Sequence, residues 1–129
     1  MPVVHAADAV VHDMHGSRFT SYAAPSRGSS ELCAWRLDVP AGTRGVPHTV
    51  TREEILFVLG GTMNVTLGDG SGAAATEPSR AGDAVVVPAG STLRIENPGD
   101  EPATAWVTTS AGLEAILPDG SRVSPPWTR

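Results

Sequence analysis

The chain has no lysine: all nine of its basic residues are arginine. That removes Schiff-base chemistry and a lysine general base from the options. It has one cysteine, Cys33, which cannot form an internal disulfide and fits a reducing, cytosolic setting. The longest unbroken apolar run is Ile55–Leu59, far short of a membrane-crossing helix. The stretch MPVVHAADAVVHDMHG lacks the positive segment and continuous apolar core of a secretory signal, so none is expected. There is no cluster of positive charge, and the net charge is -5. Neither nucleic acid nor an anionic membrane surface is therefore an expected partner. Helical periodicity is nearly absent as well; only ADAVVHDM, near the start, suggests a helix.

What is present is strand and turn. The 129 residues suffice for one domain with a core, and their 40% apolar content is that of an ordinary globular protein. Fourteen glycines and eleven prolines are spread along the chain, which reads as turns between short strands. ELCAWRLDV alternates, with Cys33, Trp35, Leu37 and Val39 on one face and Arg36 and Asp38 on the other. VPHTVT sets Val46, His48 and Val50 on one side. EILFVL is apolar on both sides and predicts a central strand buried on both faces. Met63, Val65 and Leu67 alternate before a turn at Gly68-Asp69-Gly70, and DAVVVP, STLRIEN, TAWVTTS and LEAILPDG follow. Eight to ten short strands predict an all-β sandwich or barrel. The expected layout is an N-terminal arm with a possible edge strand over 1–30, a barrel over 31–118 and a tail over 119–129. GDGSGAAATEPSR is expected to be a mobile loop. Trp127, in the stiff tail SPPWTR, either caps one end of the barrel or lies partly exposed.

Two polar residues stand out, because His48 and Glu54 have apolar neighbours at Val46, Val50, Leu56 and Val58. The spacing Gly42-x5-His48-x-Val50-x3-Glu54-x6-Gly61 resembles the first motif of the cupins, with valine at one histidine position. Gly82-x5-Pro88-Ala89-Gly90-x2-Leu93-x3-Asn97 resembles the second, with leucine in place of histidine. The motifs and their flanking strands cover roughly half of the chain. The resemblance implies a small double-sheet jelly-roll barrel, the double-stranded β-helix. That fold hosts dioxygenases, isomerases, epimerases, polyketide-tailoring enzymes, storage proteins and sugar-sensing domains, so function must be read from the site. It also implies a homodimer.

In cupins with a full site, three histidines and one glutamate hold a divalent metal. Carried over by position, His48 and Glu54 remain, while Val50 and Leu93 cannot ligate, and two protein ligands are usually too few. The resemblance thus implies a degenerate centre with no cofactor or a weakly bound divalent metal. Cys33, His5, His12 and His15 are the residues available to complete a set. Their simpler readings are a small buried hydrophobe and surface histidines.

Without a metal, His48 and Glu54 are expected to lie a hydrogen bond apart. The carboxylate would orient the imidazole and favour its charged form, giving an acid–base pair near neutral pH. Trp35, Val50, Leu56, Val58, Leu93 and Trp106 are expected to line a pocket for a small, mostly apolar molecule. Arg36, Arg44, Arg52 and Arg94 are other candidate partners for Glu54, Glu53 should point away, and Tyr22 is a candidate phenol. Isomerase, epimerase, dehydratase or cyclase-like chemistry by His48 and Glu54 leads. The alternatives are a non-catalytic small-molecule binding or sensing barrel, and a metal-dependent oxygenase held by His48, Glu54 and a further ligand.

Overall fold

Alternation along the third strand sets the architecture. Cys33, Trp35, Leu37 and Val39 are buried while Leu32 and Arg36 are exposed, so one face of the strand looks inward. The protein, described from a computed structural model over residues 3–69 and 71–129, is built from twelve such strands. These are β1 (Val10–Met14), β2 (Ser17–Ala23), β3 (Leu32–Val39), β4 (His48–Val50), β5 (Glu54–Gly60) and β6 (Thr62–Gly68). Then come β7 (Ala74–Arg80), β8 (Ala84–Val87), β9 (Thr92–Glu96), β10 (Ala103–Ser110), β11 (Ala115–Ile116) and β12 (Arg122–Val123). One sheet has the order β1-β2-β3-β10-β5-β8 and the other β12-β11-β4-β9-β6-β7. All pairings are antiparallel, and the inner faces of the two sheets enclose one core.

Leu56, Val58, Met63, Val87 and Ala105 have no exposed surface. Burying each of the larger ones contributes about 1.5–3 kcal/mol. Asn97 closes a corner of the barrel. Its side-chain Nδ2 donates to the carbonyls of Val39 (3.1 Å) and Glu101 (2.7 Å), and its Oδ1 accepts from Gly99 N (3.1 Å). Its backbone carbonyl accepts from Gly42 N and its amide donates to the Thr43 carbonyl, both at 2.8 Å. The glycine of one motif and the asparagine of the other are therefore hydrogen-bonded across the two sheets.

Several expectations change. ADAVVHDM is not helical: Ala6–Asp8 form a single 3-10 turn and Val10–Met14 form β1. Two β-branched valines favour the strand, and pairing with β2 fixes it. β5 is central, but Ile55, Phe57 and Leu59 are 37%, 43% and 50% exposed, so only Glu54, Leu56 and Val58 face the core. With Val86 at 54%, they form an apolar row on the outer face. Much of the expected loop GDGSGAAATEPSR is strand, because Ala74–Arg80 pairs with β6 residue for residue. This is an edge strand held by backbone bonds and a Thr66–Thr76 hydroxyl contact of 2.7 Å, and it carries no apolar alternation to announce it. Gly70, expected in that turn, lies outside the described residues. The first thirty residues supply the β1–β2 hairpin that extends the β3 sheet, and the last eleven supply β12 and the buried Trp127.

Gly61 shows how tightly the corners are built. Its φ is +70°, and a Cβ placed there would strike the Pro102 carbonyl oxygen and lie 2.8 Å from Ala103 Cα. Gly42 also has a positive φ, but its Cβ would meet open space. Gly61→Ala should therefore lower the unfolding free energy by about 3 kcal/mol or more, and Gly42→Ala by about 1–2 kcal/mol. Urea denaturation of the two variants checks this; equal losses would contradict it.

Candidate functional site

A cavity of about 320 Å³ lies between the sheets, at the side where β2, β3 and β5 face β4, β9 and β11. Trp35, Leu56, Val50, Leu93, Phe19 and Trp127 supply much of its apolar wall. Three titratable side chains line it: His15, His48 and Glu54. No arginine does, among the described residues.

Each polar group is placed by its strand. Glu54 opens β5 in phase with Leu56 and Val58, so its side chain shares their inward face and is only 4% exposed. No protein group among the described residues hydrogen-bonds its carboxyl. Burial alone pushes that carboxyl up to about 7. His48 starts β4 opposite Leu93 and is partly buried. Its Nδ1 lies 3.0 Å from the Val46 carbonyl. A carbonyl only accepts, so Nδ1 carries the proton of the neutral ring and Nε2 keeps its lone pair. Burial lowers the His48 pKa below the ordinary histidine value; the Val46 carbonyl opposes this, and a charge on His15 lowers it further.

His48 and Glu54 thus share a cavity, but no hydrogen bond or ion contact joins them among the described residues. The orienting partner of the imidazole is the Val46 carbonyl and not Glu54, and the ring is held neutral and not charged. His48 starts β4 in one sheet and Glu54 starts β5 in the other, so the two reach the cavity from opposite walls. The arginines do not supply a partner either. Arg36 pairs with Asp38 at 3.1 Å, and Arg94 pairs with Glu96 at 3.4 Å and donates to the Arg44 carbonyl. Arg52 lies against Gly112, and Glu53 is exposed, pointing away as expected.

Of the expected lining residues, Trp35, Val50, Leu56 and Leu93 face the cavity. Val58 is fully buried in the filled part of the core and does not. Trp106 alternates with the buried Ala105 and Val107, so it lies on the outer face, with the Tyr22 ring 5.4 Å from its own. Tyr22 likewise supplies no phenol to the cavity. Of the two readings of Trp127, the structure shows the buried one: it closes one side of the cavity and is not a partly exposed surface residue. It stacks on Phe19 with ring centroids 3.7 Å apart and planes 9° from parallel, and its backbone carbonyl accepts the Ser21 hydroxyl at 2.9 Å. Phe19, Leu113, Leu117 and Val123 were not foreseen as wall residues. Local sequence signals strand or turn at each, but not which sheet end it will cover.

The donor set does not fit a divalent metal. Val50 and Leu93 occupy the positions of two family ligands and are 1% and 2% exposed. Cys33 is fully buried, with its thiol 3.5 Å from the Thr128 carbonyl, and does not line the cavity. His5 is exposed, and His12 lies on β1 with its ring 6.2 Å from that of Trp127; neither lines the cavity. Among the described residues, no three histidine, cysteine, aspartate or glutamate side chains are grouped to hold an ion.

Two facing antiparallel sheets around an internal cavity define a double-sheet β-barrel of the jelly-roll class. Residues 35–109 match the family model of the cupin domain, so the chain belongs to the cupin family. Solved structures agree on the fold. Oxalate decarboxylase from Lactobacillus farciminis aligns over 93% of this chain and 34% of its own, with TM-score 0.75 and 21% identity. The polyketide cyclase RemF from Streptomyces resistomycificus aligns over 85% of this chain and 79% of its own, with TM-score 0.73 and 19% identity. The 7S globulin of Momordica charantia aligns over 94% and 39%, with TM-score 0.79 and 18% identity. The chain thus spans about a third of the decarboxylase chain it matches. No curated protein sequence matches it. Among the described residues, no helix is long and apolar enough to cross a membrane.

The buried carboxyl makes stability depend on pH in a defined sense. Well below pH 4.5 Glu54 is protonated in both the folded and unfolded chain and adds no pH dependence. Between 4.5 and about 7 the unfolded chain ionises first, so stability falls as pH rises, by about 3 kcal/mol in all. His48 acts oppositely, since its lowered pKa makes the fold lose stability as pH drops below 6.5. Glu54→Gln removes the first effect only. The variant should be more stable than the wild type at pH 8 and lose its advantage near pH 4, as read by urea midpoints across that range. Parallel profiles for the two proteins would contradict the burial account.

Proposed function

We propose that the protein binds a small, neutral, mostly apolar organic molecule in its barrel and catalyses a proton shift on it. Glu54 is the acid and His48 the base. The observation that carries this reading is a protonated carboxyl with a pKa of about 7 and no protein partner, in the same apolar cavity as a neutral imidazole with a free Nε2. The two environments push the two groups in opposite senses, so near pH 7 much of the Glu54 carboxyl keeps its proton while the His48 ring is mostly neutral, the arrangement acid–base catalysis at that pH uses. The absence of arginine from the wall among the described residues disfavours a carboxylate or phosphate ligand, which would enter without a counter-charge.

In this scheme His48 Nε2 removes a proton from a carbon beside a carbonyl or hydroxyl-bearing group. Nδ1–H, fixed on the Val46 carbonyl, keeps the ring in the tautomer that presents a lone pair. The Glu54 hydroxyl donates to the oxygen on which charge develops, and the water-poor wall strengthens that hydrogen bond. Return of the proton to another atom yields isomerisation, and to the opposite face of the same carbon epimerisation; departure of a β-hydroxyl as water, with a proton from the His48 imidazolium or Glu54, yields dehydration; attack by the carbanion on a second carbonyl yields cyclisation. The likeness to RemF, a polyketide cyclase by name, is compatible with the last of these.

Exchange of the α-protons of α-tetralone in D2O, followed by NMR, tests the chemistry with a neutral apolar carbon acid. The wild type should accelerate exchange over buffer, and His48→Ala should lose about a hundredfold or more of that acceleration. The rate should fall above pH 7, as Glu54 ionises, and again on the acid side at a pH below 6.5, as His48 gains a proton. α-Tetralone that binds without any enhanced exchange would remove the catalytic reading and leave a binding barrel.

A further inference from the structure

The third polar group on the cavity wall has no part in that scheme. His15 lies in the two-residue turn between β1 and β2, since Met14 pairs with Ser17. It has φ of +53° and Gly16 has φ of +84°, the double left-handed geometry of a tight hairpin. Among the described residues, His15 is the only residue other than glycine with a positive φ. Asparagine or glycine would fill that position with less strain. The imidazole nevertheless lines the cavity, and its charge is felt at His48.

The strand register places these groups in sequence along the barrel. In the first sheet, Glu54 shares a rung with Thr109 and Cys33. The next inward rungs are Leu56-Val107-Trp35 and Val58-Ala105-Leu37. β2 joins at Phe19–Leu37 and Arg18–Asp38, and the His15–Gly16 turn lies beyond. From Cys33 to Asp38 is about 17 Å of strand, at 3.4 Å per residue. Gly16 packs near Thr43, in the connection between β3 and β4, and His48, at the start of β4, faces the cavity from the opposite sheet. Glu54 and His15 thus stand on well-separated rungs of a largely apolar cavity, whose wall also carries Ser17 and the indole Nε1 of Trp35, unpartnered among the described residues.

We propose that His15 forms a second polar subsite, at the hairpin end of the cavity, and that the natural ligand is elongated: an apolar body with one polar group at the Glu54–His48 end and a second, neutral hydrogen-bonding group, such as a hydroxyl or carbonyl, at His15. This rests on the reading of the cavity as a binding site for a neutral, apolar molecule, and adds to it the length and the second functional group of that molecule. A group at His15 is at the exposed rim, so its contribution is that of one ordinary hydrogen bond. The residue selects ligands and takes no part in the proton shift.

Titration of the protein with 1-octanol and with 1,8-octanediol, followed by the emission of the cavity tryptophans Trp35 and Trp127, tests the subsite without turnover. His15→Gly keeps the left-handed turn and removes the ring. It should weaken 1,8-octanediol by a factor of about three to ten and change 1-octanol by about twofold or less. His15→Asn, which tolerates the same φ and retains a donor and an acceptor, should recover part of the loss. An equal effect on both alcohols, or none on either, overturns the subsite while leaving the cavity reading in place. Failure of both alcohols to bind the wild type overturns the cavity reading and the subsite with it.

Discussion

A carboxylic acid enclosed by hydrocarbon must find a partner or hold its proton more tightly, and Glu54 holds its proton more tightly. It has no hydrogen-bond partner from the protein among the described residues, and burial alone moves its pKa to about 7. The cavity around it explains why the cost is tolerable. A filled core would seal an unsatisfied carboxyl against methyl groups, whereas an open space leaves its oxygens able to meet a ligand or water. Glu54 meets no cationic or donor partner at Val50 or Leu93, both apolar and buried, and its pKa follows from that enclosure.

The cavity wall is shared between the motif strands and segments outside them. The family match ends at residue 109, yet Leu113, Ala115, Leu117, Val123 and Trp127 close one side of the space. The hairpin contributes Met14, His15 and Phe19 from the other side. Phe19 and Trp127, separated by over a hundred residues, stack nearly face to face, and the Ser21 hydroxyl holds the Trp127 backbone. The motif strands therefore make a frame and carry Glu54 and His48, and the flanking segments complete its largely apolar wall and add His15. Identities near 20% to the decarboxylase, the cyclase and the globulin accord with this division, because they carry the frame without fixing the contents.

His48 shows how a site can be retained and still change its meaning. In a metal centre a histidine's second nitrogen is usually anchored by an acceptor, and here the Val46 carbonyl provides such an anchor. With apolar residues at two ligand positions, the free nitrogen faces no cation, and burial favours the neutral ring. His48 and Glu54 then share the cavity without a bond between them among the described residues. A direct pair would have pulled both toward their charged forms.

Strand phase was legible in the sequence because the period of two is local: Cys33 to Val39, Met63 to Leu67 and the inward placement of Glu54 with Leu56 all follow from alternation. So was the corner chemistry, since Gly61 and Asn97 answer steric and hydrogen-bonding demands that no other residue meets. Alternation cannot tell whether the second face of a strand is covered, so β5 looked buried on both sides although Ile55, Phe57 and Leu59 face outward. Nor can spacing along the chain tell whether two inward side chains meet. That His48 and Glu54 share a cavity without touching, that Trp106 lies outside while Trp127 lies inside, and that His15 reaches the rim depend on how the sheets are offset and where the chain ends return. Those are contacts between residues far apart in sequence, and only the folded chain decides them.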